Sequence, residues 1–141
     1  MAASPLVIVV DTTVWADWFN GHRSPEVDRL DIALDQEDAG LTLVILTEIL
    51  QGFRADADFE RARRRLVRLP MLPLDPAGHV EAARIHRGLR KRGITIRGTI
   101  DCLIAQTCIA ADVELLSTDD DFAIIARHTS LRLWRPEDIR E

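Results

Sequence analysis

The chain has 141 residues, 47% of them hydrophobic, and a formal net charge of −5 from 18 basic and 23 acidic side chains. That length suits one domain, read as 1–141, with an ordinary core; Cys102 and Cys108, six apart in one apolar segment, exclude a disulfide or zinc scaffold. The acidic balance argues against a generic nucleic-acid coat protein, and no leader-like opening or membrane-length apolar run is found, so a soluble cytoplasmic protein with reduced core thiols is expected.

Taken in order, Leu6 to Val10 is an apolar, valine-rich run of five, the pattern of a strand buried on both faces in a parallel sheet. It ends at Asp11. Thr12 and Thr13 follow, then Trp15, Trp18 and Phe19 at helical spacing, so a helix starts where the strand stops. Ser24, Pro25 and Glu26 open a helix running to Asp38. After Gly40 a short strand, Leu41 to Leu43, leads into a helix with Ile45, Leu46, Ile49, Leu50 and Phe53 on one face and Glu48 on its flank. The next segment sets Phe59, Ala62, Leu66 and Leu69 against an arginine stripe, Arg61, Arg64, Arg65 and Arg68, and stops at Pro70. Met71 to Leu74 reads as a strand, and Asp75 with Pro76 opens a long helix closed by Gly93. A loop with Gly98, a helix from Ile100 to Ala111, a strand from Val113 to Ser117, a helix from Asp119 to Arg127 and a last strand, Leu131 to Leu133, complete the chain.

Alternation of strands and helices predicts an α/β fold, a three-layer α/β/α sandwich around a mostly parallel sheet with right-handed crossovers. Against that frame the acids stand out. Asp11 and the run Asp119-Asp120-Asp121 fall at the carboxyl ends of strands, the edge where open α/β sheets bind ligands. Asp101 lies in a helix that is apolar nearly all round, where an ionised carboxylate needs a partner. Each has an ordinary explanation: Asp11 as a helix cap, Asp101 as a first-turn acid behind a Thr99 cap, the triple run as a solvated turn, Glu48 as a surface glutamate. Together they predict four carboxylates converging on one edge. Such a cluster repels itself, and a divalent cation relieves the conflict. Carboxylate oxygens suit Mg²⁺ or Mn²⁺, and the lack of a nearby histidine or cysteine partner argues against zinc. The chemistry implied is phosphodiester hydrolysis.

The stretches Asp11-Thr12-Thr13-Val14-Trp15, Thr47-Glu48-Ile49-Leu50-Gln51-Gly52, Ile100-Asp101-Cys102-Leu103-Ile104-Ala105 and Leu115-Leu116-Ser117-Thr118-Asp119-Asp120-Asp121-Phe122 resemble, in order and spacing, a PIN-domain ribonuclease. More narrowly the chain is similar to the VapC toxins of VapBC toxin–antitoxin pairs. The resemblance implies a PIN-like fold and a metal-dependent endoribonuclease. Its acids would be Asp11, Glu48, Asp101 and Asp119, all metal ligands, with Asp121 a fifth catalytic acid and Thr13 or Thr118 assisting by hydroxyl. It also implies an RNA substrate, a small VapB-type antitoxin and homodimerisation, with no membrane involved. Here Asp120 fills the gap where the family pattern has a basic or polar residue, so the choice among Asp119, Asp120 and Asp121 stays open. Keeping Phe122 in register favours Asp119, then Asp121. The arginine stripe and the cluster Arg84, Arg87, Arg90, Lys91 and Arg92 read as solvated helix faces or as a track for RNA phosphates. A catalytically inactive binding module of the same fold is the alternative reading, which a complete set of four acids opposes.

Overall fold

The structure, a computed structural model, describes residues 7–136. Four strands, β1 (Ile8–Val10), β2 (Ala39–Thr42), β3 (Met71–Leu72) and β4 (Glu114–Leu116), form one sheet in the order β3-β2-β1-β4, every pairing parallel. Three apolar residues in β1 with no polar alternation make sense here, since all three are buried and β1 is flanked by strands on both sides. The chain steps outward from β1 to β2 to β3, then returns across β1 to add β4 on the far side. With right-handed crossovers this reversal puts helices on both faces and opens a crevice at the carboxyl ends of β1 and β4.

Between the strands run α1 (Thr12–Phe19) and α2 (Pro25–Asp35), α3 (Leu43–Gln51) and α4 (Asp56–Leu66), α5 (Pro76–Lys91) and α6 (Thr99–Ala111), with α7 (Asp120–Arg127) after β4. Four starts are fixed by side chains that accept an otherwise orphaned helix N–H: Ser24 from Val27 at 3.0 Å, Thr42 from Ile45 at 3.1 Å, Asp75 from Gly78 at 2.7 Å and Asp119 from Asp121 at 2.9 Å. Pro25 and Pro76 sit at the first helical positions, where no donor is lost. Trp15, Leu30, Leu41, Ile45, Leu66, Ile104, Leu115, Phe122 and Ile125 are fully buried and join sheet to helices in one core. Cys102 and Cys108 are buried within it as free thiols. Burial, with nearby Asp101 and Asp11 respectively, pushes them up to about 11 and about 12, so neither is a reactive thiolate.

Several boundaries differ from the sequence reading. The first strand begins at Ile8, and Leu6 lies outside the described residues. Helix α2 ends at Asp35 rather than Asp38, because Glu37 turns left-handed (φ 58°) and the Asp38 carbonyl accepts from Ile8 at 2.8 Å beside the sheet. Leu43 begins α3 instead of closing β2, since Thr42 is already its cap. Strand β3 stops at Leu72, ahead of Pro73, which has no N–H to pair. Gly98, not Thr99, occupies the cap position of α6. Leu131 to Leu133 is not a strand: a single parallel bridge joins Leu133 to Leu115, with Leu115 donating to the Arg132 carbonyl and Trp134 to the Leu115 carbonyl, both at 3.0 Å.

Candidate active site

Parallel register pairs Val10 with Leu116, so Asp11 and Ser117 leave the sheet side by side although 106 positions separate them. Asp11 occupies the cap position of α1 without a side-chain capping hydrogen bond of good geometry, so capping alone does not account for it. The residue is only 4% exposed, and its carboxylate is engaged elsewhere. Oδ2 accepts from the Ser117 hydroxyl at 2.8 Å and from the Thr13 hydroxyl at 3.0 Å. Each hydroxyl in turn accepts a backbone N–H from the turn after β4: Ser117 from Asp119 at 3.0 Å, Thr13 from Thr118 at 3.3 Å. Both hydroxyls are thereby oriented with their protons toward Asp11. Burial raises the Asp11 carboxyl above the ordinary range, and the bonds from Ser117, the Thr12 backbone and Thr13 offset only part of that rise.

Asp119 caps α7, accepting from the Asp121 N–H at 2.9 Å, and this tight turn aims Asp119 and Asp121 the same way while Asp120 stays exposed. Across the crevice Asp101 sits in the first turn of α6. One carboxylate oxygen each from Asp101, Asp119 and Asp121 lies within 4.8 Å of the others. Glu48, half-buried on α3, accepts from the Thr12 hydroxyl at 2.8 Å, which ties it to the residue after Asp11. Asp101 feels the whole assembly: burial first, then Asp119, Asp11, Asp121 and Glu48 push its carboxyl up to about 7. The five acids singled out in the sequence therefore share one edge, with Asp101, Asp119 and Asp121 closest.

Two polar partners were missed. Thr12 and Ser117 hold Glu48 and Asp11, yet each stands next to a more conspicuous residue, and only the β1–β4 adjacency tells which hydroxyl faces inward. Of the two hydroxyls expected to assist, Thr13 reaches Asp11, whereas Thr118 is exposed and contributes its backbone N–H. On α4, Arg61 pairs with Asp58 at 3.1 Å and Arg65 lies 4.9 Å over the Trp18 ring, so part of the stripe has local work. Trp15 is core, while Trp18 is partly exposed and donates to Asp31 at 2.9 Å.

A parallel sheet with acids gathered at the switch point between β1 and β4 is an arrangement suited to a hard divalent cation, and the model of the PIN domain family matches residues 8–128. A VapC ribonuclease of Mycobacterium bovis and ribonuclease VapC11 of Mycobacterium tuberculosis are each 33% identical over 129 residues, covering 89% of this chain and 96% of the relative. The VapBC2 complex of Rickettsia felis, bound to a promoter DNA fragment, superposes with a TM-score of 0.73 at 18% identity, over 92% of this chain and all of that one. The VapBC-5 complex of Mycobacterium tuberculosis gives 0.67 at 23% identity, over 93% and 99%. The chain belongs to the PIN-domain family, in its VapC branch. Among the described residues no helix is long and apolar enough to cross a membrane.

Proposed function

We propose that this chain is an Mg²⁺- or Mn²⁺-dependent endoribonuclease, the toxin of a toxin–antitoxin pair, acting in the cytoplasm as a single domain of residues 1–141. The observation that carries this reading is the pressure of Asp119, Asp11, Asp121 and Glu48 on Asp101, because five converging carboxylates disfavour their own ionisation unless a cation joins them. The donor set fits a hard divalent ion: it is all oxygen, three of its carboxylates are within 4.8 Å, and Asp121 Oδ2 is buried without a hydrogen-bond partner. Asp101, Asp119 and Asp121 would hold the ion, with Asp11 and Glu48 completing the acidic wall. Bound there, such an ion supplies Lewis acidity toward water and toward the phosphodiester.

The chain's own groups do the positioning. Ser117 and Thr13 keep Asp11 oriented and counter the effect of its burial. Thr12 fixes Glu48 on the opposite wall. That the curated relatives are named ribonucleases supports RNA as substrate. The solved VapBC complexes support a small VapB-type antitoxin, and we include homodimerisation in the proposal. A cleft of about 250 Å³ runs from Thr12 and Glu48 over Ala16 and Ile49 to Phe19 and Phe53, an apolar seat with an acid at one end. It suits an antitoxin segment that places an arginine against the carboxylates, where its fork would compete with the cation.

Cleavage of RNA by the purified chain, with and without Mg²⁺, beside Asp11→Asn, tests the reading. Cleavage is expected only with metal, and to fall by about 10² or more in the variant. Cutting that needs no metal, or an Asn variant with full activity, overturns it.

A further inference from the structure

Among the described residues, Arg97 is a cation that reaches the acidic cluster. It stands in the loop between α5 and α6, with its Nε 3.9 Å from Asp121 Oδ2. The two partners are unequal: the Asp121 side chain is 17% exposed, that of Arg97 86%. At that separation no hydrogen bond forms, and Oδ2 remains a buried acceptor without one. An oxygen in this condition takes whatever cation is available, and an arginine so exposed is held by little besides this attraction.

Two cations compete for Asp121. A divalent ion among Asp101, Asp119 and Asp121 would carry the stronger charge and repel the guanidinium from the same carboxylate. Arg97 would then turn outward at the rim of a crevice that is otherwise acidic. An RNA backbone approaching five carboxylates meets like charge, and a guanidinium at the rim offers the planar fork that phosphate oxygens accept.

We propose that Arg97 exchanges partners, holding Asp121 when no metal is bound and gripping an RNA phosphate beside the cleavage site once a divalent cation has displaced it. The proposal rests on the ribonuclease reading above. It makes Arg97 a substrate-binding residue that also weakens metal binding in the absence of RNA.

The test uses the full chain with Mn²⁺ alone as the first probe, by calorimetric titration, and RNA cleavage at saturating Mn²⁺ as the second. Arg97→Ala should bind Mn²⁺ more tightly, by up to about fivefold, the ceiling for an exposed ion pair. The same variant should raise KM for RNA by about tenfold with kcat little changed, the mark of a lost phosphate contact. Arg97→Lys, which keeps the charge, should bind Mn²⁺ as the parent does and recover part of the KM. Unchanged or weaker Mn²⁺ binding in Arg97→Ala overturns the proposal, as does an unchanged KM. Arg97→Gln, with a similar stem and no charge, should repeat the Ala result if charge is the cause, and a Gln variant matching the parent refutes it. A parent chain that neither binds Mn²⁺ nor cuts RNA removes the ribonuclease reading instead. A parent that does both beside an Arg97→Ala variant that behaves identically removes only the exchange.

Discussion

Replacing Asp101 by asparagine keeps the shape of the side chain and deletes its charge, so it measures how far the five carboxylates strain the metal-free protein. In the fold this carboxyl rises from 3.8 to about 7, with burial the largest cause and Asp119 the next. The folded state therefore holds the proton more tightly than the unfolded chain between those two pH values. Stability conferred by protonated Asp101 is fully present below about pH 4 and is lost as pH climbs toward 7. Three units at about 1.4 kcal/mol each set a ceiling of roughly 4 kcal/mol. Asp101 is half-buried, and water around it takes about half of that, leaving about 2 kcal/mol. For a chain of this size the gain corresponds to roughly 6–8 °C in Tm. Thermal unfolding in chelator should thus give Asp101→Asn a Tm above the parent at pH 8, with the difference closing near pH 4. Adding Mn²⁺ should raise the parent's Tm and leave the variant's nearly still. A variant with a lower Tm at pH 8, or a difference that does not change with pH, would refute the reasoning and leave Asp101 as an ordinary first-turn acid.

The other predictions use the same structure. Ser117→Ala removes the strongest of the bonds that lower the Asp11 carboxyl, so that carboxyl should ionise at higher pH and the acid limb of the cleavage profile should move upward; an unmoved limb counts against the hydroxyl's role. Thr12→Val deletes the bond to Glu48 at 2.8 Å and should cut cleavage by about tenfold while shifting Tm by no more than a few degrees. Glu37, exposed and left-handed at φ 58°, should accept glycine with a stability gain of about 0.5 kcal/mol in urea melts, and a loss would mean its backbone is held by more than the turn.

What could be read beforehand follows from how local each signal is. Ser24-Pro25, Asp75-Pro76 and the buried valine run act through neighbours a few residues away, and the two helix starts and the strand end that they mark are where the sequence places them. The end of α2 depends on a left-handed Glu37, which leaves no pattern in the chain, whereas the end of β3 is marked in the chain by Pro73, and the sequence reading runs through it to Leu74. Leu131 to Leu133 has the composition of a strand and fails because the chain meets β4 at one point only. At the site, the five acids were legible because no local structure needs them all. Within the triple run only the family register favours Asp119 and then Asp121, the two that group with Asp101; the residues by themselves do not separate the three, because the choice turns on Asp119 being the cap of α7. Arg97, lone and in a loop, carried no signal until the fold set it beside Asp121.

The order in which the parts occur along the chain has a consequence for its synthesis. The seat proposed for the antitoxin is built from Thr12 to Phe53, whereas Asp11 finds its hydroxyl donor only at Ser117 and the closest acids include Asp119 and Asp121. A polypeptide leaving the ribosome therefore exposes the elements of its docking cleft more than sixty residues before the last acid emerges. Translation halted between them yields a fragment that lacks at least Asp119 and Asp121, two of the five acids. On the proposed reading, the residues that meet the inhibitor are all made before the last acids of the cutting centre are.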